Sequence, residues 1–126
     1  MTYFIDRDLG RGVPRALQQV RDDVIYLEQR YAHDTPDEEW LSQAGREGWI
    51  VITRNRKIST NPAQQRAVRD HGVRCFCLVQ KRPLTKWQML TRLVRSWDAM
   101  EAAVDTRPAP FMIGIRQDGS FRDLLS

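Results

Sequence analysis

Acidic side chains gather at three places in this chain, and their spacing is what first suggests chemistry. Asp6 and Asp8 follow a short β-rich run, Tyr3-Phe4-Ile5. Asp37, Glu38 and Glu39 open a stretch of helical periodicity, and Thr53, Asn55 and Lys57 stand at the end of the apolar run Trp49 to Thr53. Brought together, these groups would make an oxygen-rich, anionic pocket. Such a pocket suits a hard cation. Magnesium binds through one or two carboxylates and keeps waters and substrate phosphate as its other ligands. Bound, it lowers the pKa of a water and steadies the charge building on a phosphate, and two ions ~3.5–4 Å apart would clamp both attacking and leaving oxygens. This chemistry needs no histidine or cysteine nucleophile, and neither His33 nor His71 is well placed to be one. Each acid also has an ordinary use. Asp37 and Glu38 sit where a helix first turn favours negative charge, Asp6 fits a turn after a strand, and Asp8 and Glu39 suit solvent. The signal is their joint placement.

The elements that must position these groups alternate. Strands are predicted at Tyr3–Ile5, Val24–Leu27, Trp49–Thr53 and Val73–Val79, with helices between them. The first helix is predicted to start at Pro14 and to carry Ala16, Leu17 and Val20 on its apolar stripe. The second spans 35–48, with Thr35 as N-cap, Pro36 at the first helical position, Glu38 closing a capping box and Gly48 ending it. Asn61-Pro62 opens a third that ends at Gly72, and Thr85 caps a long amphipathic helix carrying Trp87, Leu90, Leu93, Val94, Trp97 and Met100. Phe111–Arg116, Asp118-Gly119 and Phe121–Leu124 read as a hairpin. Strands alternating with helices imply a three-layer α/β/α domain with a mainly parallel sheet. In such sheets ligands sit outside the carboxyl ends of the strands, which is where Asp6 and Thr53 fall.

At 126 residues the chain is one domain, with 1–80 as the α/β core bearing the acidic site and 81–126 as the C-terminal helix and hairpin. No apolar run approaches the ~18 residues of a membrane span, and the start lacks the basic region of a signal peptide; the expected location is the cytoplasm. Cys75 and Cys77 alternate onto one face of a strand, ~6.5–7 Å apart, at the far limit for a disulfide, and read as small buried hydrophobes. The net charge of +4 comes from basic residues that are nearly all arginine and dispersed along the chain. Arginine forks onto phosphate, so nucleic acid is one partner that the charge allows, a merely solvated surface being the other.

These residues resemble a family. Phe4-Ile5-Asp6-Arg7-Asp8-Leu9-Gly10, Thr35-Pro36-Asp37-Glu38-Glu39-Trp40-Leu41 and Gly48-Trp49-Ile50-Val51-Ile52-Thr53-Arg54-Asn55 look like the PIN-like domains of the VapC type. The likeness continues through Asn61-Pro62-Ala63, Gly72–Leu78 and the tail Pro110–Ile115 with Asp118-Gly119, covering almost the whole chain. It implies an α/β/α fold, an acidic magnesium or manganese site, endoribonuclease activity, and the toxin role in a toxin–antitoxin pair silenced by a small antitoxin protein. Carried over by position, Asp6 matches the first-strand metal aspartate and Asp37 the acid at the start of the helix before the third strand. Asn55 falls where the family usually has a third aspartate, a departure that puts an uncharged amide in place of a charged ligand.

Two readings follow. In the first, the chain is a metal-dependent endoribonuclease. Asp6 and Asp37 hold the ion, Asp8, Glu38 and Asn55 support them, and Thr53, Arg54, Arg56 and Lys57 contact the RNA backbone. In the second, the site is weakened at Asn55 and the scaffold binds a partner protein or RNA. A phosphate-binding receiver domain would want its acceptor aspartate where Asn55 stands, and the lone Gly10-Arg11-Gly12 is too short to support nucleotide binding. Trp87, Leu93 and Trp97 could serve a homodimer or an antitoxin groove.

Overall fold

The computed structural model describes residues 1–54 and 60–125. Six strands form one sheet in the order β2-β1-β3-β4-β5-β6. They are β1 (Tyr3–Ile5), β2 (Val24–Tyr26), β3 (Ile50–Thr53), β4 (Arg74–Leu78), β5 (Phe111–Ile115) and β6 (Phe121–Asp123). The first five are parallel neighbours, and β6 turns back antiparallel on β5 as the expected hairpin. Among the described residues the helices are α1 (Gly12–Gln18), α2 (Asp37–Glu47), α3 (Pro62–His71) and α4 (Lys86–Thr106). Single 3-10 turns follow β1 (Arg7–Leu9) and β2 (Leu27–Gln29).

Strand alternation divides the core in two. Tyr3, Ile5, Ile50, Ile52, Phe76, Leu78 and Ile113 face α1 and α4, while Phe4, Val51, Cys75 and Met112 face α2 and α3. The second face is dense with rings. Phe4 lies 5.3 Å from Trp40 and 5.2 Å from Trp49, with Tyr31 at its edge. Trp40 is fully buried, and truncating such a side chain to alanine typically costs about 3–5 kcal/mol. Helices α2 and α3 approach so closely that a Cβ at Gly45 would stand 2.0 Å from the His71 carbonyl oxygen. Only glycine fits there.

These faces also constrain the crossovers. β3 to β4 and β4 to β5 step in the same direction across the sheet, yet α3 and α4 cover opposite faces. The two connections therefore have opposite hands. The earlier crossovers agree with β3–α3–β4, and ~98% of parallel crossovers are right-handed, so β4–α4–β5 is the exception. Its consequence is that α4 starts beside α1, next to the loop leaving β1.

Some local expectations fail for identifiable reasons. Thr35 does not cap α2. Pro36 is the boundary residue, no side-chain cap forms, and no capping box with Glu38 closes. The Arg7 guanidinium grips the carbonyl oxygens of His33 and Thr35 and so sets how the chain enters the helix. Helix α1 starts at Gly12 rather than Pro14 and ends before Val20, which is 81% exposed. On α4, Leu93, Trp97 and Met100 are buried as their periodicity predicts, but Trp87 and Val94 point outward. Asn61 and Thr85 cap their helices as expected, and Gly48 and Gly72 end theirs in the left-handed conformation.

Candidate active site

Register builds the site. β1 pairs with β3 so that Ile5 stands opposite Ile52, and the Asp6 amide donates to the Ile52 carbonyl at 2.9 Å. The next positions, Asp6 and Thr53, therefore meet at the carboxyl end of the sheet, on the face covered by α2 and α3. The Thr53 hydroxyl donates to Asp6 Oδ2 at 2.8 Å. Asp6 is wholly buried, and its other oxygen, Oδ1, accepts no hydrogen bond among the described residues. A buried carboxylate oxygen with no donor is costly. Burial pushes the Asp6 carboxyl up to about 7, and the charges of Asp8 and Asp37 push the same way; the Thr53 hydrogen bond and Arg7 oppose them. The three aspartates named from the sequence thus share one electrostatic neighbourhood.

Asp37, the first residue of α2, is held very differently. Its Oδ1 accepts from Arg7 Nη2 at 2.7 Å and from the Trp40 indole at 3.2 Å, and its Oδ2 accepts from Gln64 Nε2 at 2.9 Å. The ion pair with Arg7 is mostly shielded from solvent. Asp8 lies in the 3-10 turn after Asp6, where its backbone carbonyl accepts from Arg54 Nε. Arg54 is thereby fixed at the loop carrying both aspartates. Glu38 is exposed on α2, and no hydrogen bond or ion pair ties it to these acids. Asn55, Arg56 and Lys57 lie outside the described residues. Cys75 and Cys77 are free and buried; burial and the nearby Asp6 push the Cys77 thiol up to about 12, and burial holds the Cys75 thiol well above its ordinary value. Neither thiol is a nucleophile at neutral pH.

Arg7 and Gln64 are the residues that sequence reasoning passed over. An arginine between two candidate metal aspartates is a signal available in the sequence. Gln64 has none, because only the packing of α3 on α2 brings it to Asp37.

Do these residues suit a divalent cation? Among the described residues no three His, Cys, Asp or Glu side chains stand close enough to cage one. Magnesium, however, needs only one or two carboxylates and prefers to keep its waters. Asp6, buried and short of a partner at Oδ1 with two further negative charges nearby, fits that requirement.

This arrangement defines a class: a parallel α/β sheet with a buried aspartate at the end of its first strand and a second acid at the start of the helix before its third. Residues 1–80 match the family model described as PIN like domain, and the chain belongs to that family. Within it, the chain is similar to "Putative ribonuclease VapC45" of Mycobacterium tuberculosis (strain ATCC 25618 / H37Rv). The two are 29% identical over 114 residues, covering 86% of this chain and 81% of that protein. The likeness is thus to the VapC type. No solved structure matches. No helix among the described residues is long and apolar enough to cross a membrane.

Proposed function

We propose that this protein is a magnesium- or manganese-dependent endoribonuclease that acts in the cytoplasm as the toxin of a toxin–antitoxin pair. The observation that carries the reading is Asp6: fully buried, bonded through one oxygen to Thr53, with the other oxygen unpartnered among the described residues and two more carboxylates pressing on it. A group so placed is unfavourable without a cation and well suited to one. Asp6 would hold the ion, with Asp8 and Asp37 adding negative charge beside it. When bound, the ion supplies charge neutralisation at the phosphate and an acidified water. The protein's own part is positioning. Thr53 orients the Asp6 carboxylate, Arg7 and Gln64 lock Asp37, and Arg54 puts a cation at the loop where an RNA backbone would lie, adding affinity without base specificity.

The decisive experiment is Asp6→Asn, an isosteric change that removes the charge. Magnesium-dependent cleavage of RNA should fall by at least ~100-fold, beyond the 10–100-fold typical of losing an outer-shell partner, while the circular dichroism spectrum is unchanged. Cleavage that survives this change, or survives EDTA, defeats the mechanism.

A second reading, a weakened site on a binding scaffold, is favoured by one observation: the Asp37 carboxylate already serves Arg7, Trp40 and Gln64. Asn55→Asp separates the two. A large gain of magnesium-dependent cleavage would mean that the natural site is degraded.

The antitoxin and RNA partners belong to this proposal, as does pairing of two copies. α4 exposes Trp87 and Val94, the apolar pair on which two copies would meet.

A further inference from the structure

The Gly10-Arg11-Gly12 segment is too short for a nucleotide motif, yet the fold gives it a use. Because α4 starts on the α1 side of the sheet, its first residue, Lys86, reaches the loop that carries Asp6 and Asp8. Gly10 takes a positive φ of 74°, and a Cβ there would stand 3.8 Å from Lys86 Cε. At Gly12 a Cβ would stand 3.1 Å from Lys86 Cδ and 3.9 Å from Nζ. The two glycines are therefore the floor on which the lysine stem lies, and the approach at Gly12 is closer than a side chain would comfortably allow.

The lysine's charge is available. Arg11, between the glycines, is held by Glu28 through two hydrogen bonds, whereas Lys86 is exposed and makes no hydrogen bond or ion pair among the described residues. Two cations thus rest on the loop that leaves β1, Arg54 against Asp8 and Lys86 against Gly10 and Gly12. An ammonium on a placed aliphatic stem is a phosphate ligand of the point-charge kind. Lys86 also lies beyond the stretch, 1–80, that matches the family model.

We propose that Lys86 is a substrate-binding residue that contacts the phosphodiester backbone of single-stranded RNA, extending the binding surface from the Asp6 pocket across the Gly10–Gly12 loop; this rests on the ribonuclease reading above. Such a contact adds affinity uniformly across sequences and contributes to salt dependence. It also gives the C-terminal region a share in the active site, through the crossover of unusual hand.

The test is binding of a single-stranded RNA oligonucleotide by fluorescence anisotropy, across a range of KCl, in an Asp6→Asn background so that cleavage does not interfere. Lys86→Gln should raise Kd about three- to tenfold near 0.1 M salt and make the slope of log Kd against log salt shallower by about 0.7, the value for one lost contact to a single strand. Lys86→Arg should restore most of the affinity. Gly12→Ala keeps the lysine but displaces its stem, and should weaken binding with no loss of melting temperature. In the protein with Asp6 intact, Lys86→Gln should raise KM and leave kcat unchanged. If Lys86→Gln and Gly12→Ala both bind with the Kd and slope of the Asp6→Asn parent, while that parent binds RNA and the natural protein cleaves it, this inference fails and the ribonuclease reading stands. If the parent binds no RNA, both fall together.

Discussion

The end of β1 and the start of α2 each contribute an aspartate to one neighbourhood, and the two carboxylates live under opposite conditions. Asp6 is buried, and among the described residues only Thr53 donates to its side chain and Oδ1 accepts nothing; its affinity for protons is raised. Asp37 accepts from Arg7, Trp40 and Gln64 among the described residues, the first through a guanidinium. Two residues of one type thus do different work. Asp6 is a group waiting for positive charge, while Asp37 ties together the loop after β1, α2 and α3 through Arg7 and Gln64. The comparison teaches that proximity of acids does not by itself define a metal set; what each carboxylate has already spent on protein donors decides how much is left for an ion.

Breaking that contrast at Asp6 should have the largest effect, the loss of cleavage described above, and it should carry a pH signature in the metal-free protein. With EDTA present, both folded and unfolded chains hold the Asp6 proton below pH 3.8. Between about 4 and 7 the unfolded chain releases it while the folded chain does not, so stability falls as pH rises and levels off above about 7. Chemical denaturation should show this slope in the natural protein and a smaller one in Asp6→Asn. Equal slopes would mean that Asp6 is not held protonated.

At Asp37 the expected effect is on stability first. Arg7→Ala removes an ion pair and two further bonds to backbone carbonyls, leaving a mostly buried carboxylate with fewer donors. A loss of about 2–3 kcal/mol is expected, measured by urea unfolding. A change within error would show that this clamp is ornamental. Gly45→Ala probes the same junction from the other side. Its Cβ collides with the His71 carbonyl, and about 1–3 kcal/mol should be lost as α2 and α3 separate; an unaltered melting curve would count against the close approach. A smaller effect is expected at α4, where Trp87→Glu should shift light scattering from dimer to monomer with little change in fold. A protein that is monomeric to begin with ends that part of the proposal. Glu38→Gln, at an exposed position of α2, should change cleavage by less than about twofold, and a loss as large as that of Asp6→Asn would restore it to the site.

Much of the fold was legible because its signals are local. Strand-length apolar runs, the caps at Asn61 and Thr85 and the glycines at 48 and 72 each act within one turn, so residue order alone places them. That Asp6 and Thr53 fall at the same end of the sheet was also readable, since each stands at the carboxyl end of a strand of a parallel sheet; that β1 and β3 are neighbours, so that the two side chains bond, was not. What the residues could not say concerns contacts between distant segments. The fate of Thr35 depended on an arginine 28 positions away, and the partners of Asp37 came from Arg7 and Gln64, on opposite sides of it in the chain.

The sequence by itself determined the alternation of elements, the two-faced strands and the identity of the acid at the end of the first one, because hydrophobic period and capping are short-range effects. Only the tertiary structure decided which acid is left short of donors, which is already satisfied, and that a lysine from the fourth helix lies over the glycines of the first loop. Those outcomes hang on which face each helix covers, and in particular on a crossover whose hand no stretch of residues encodes locally.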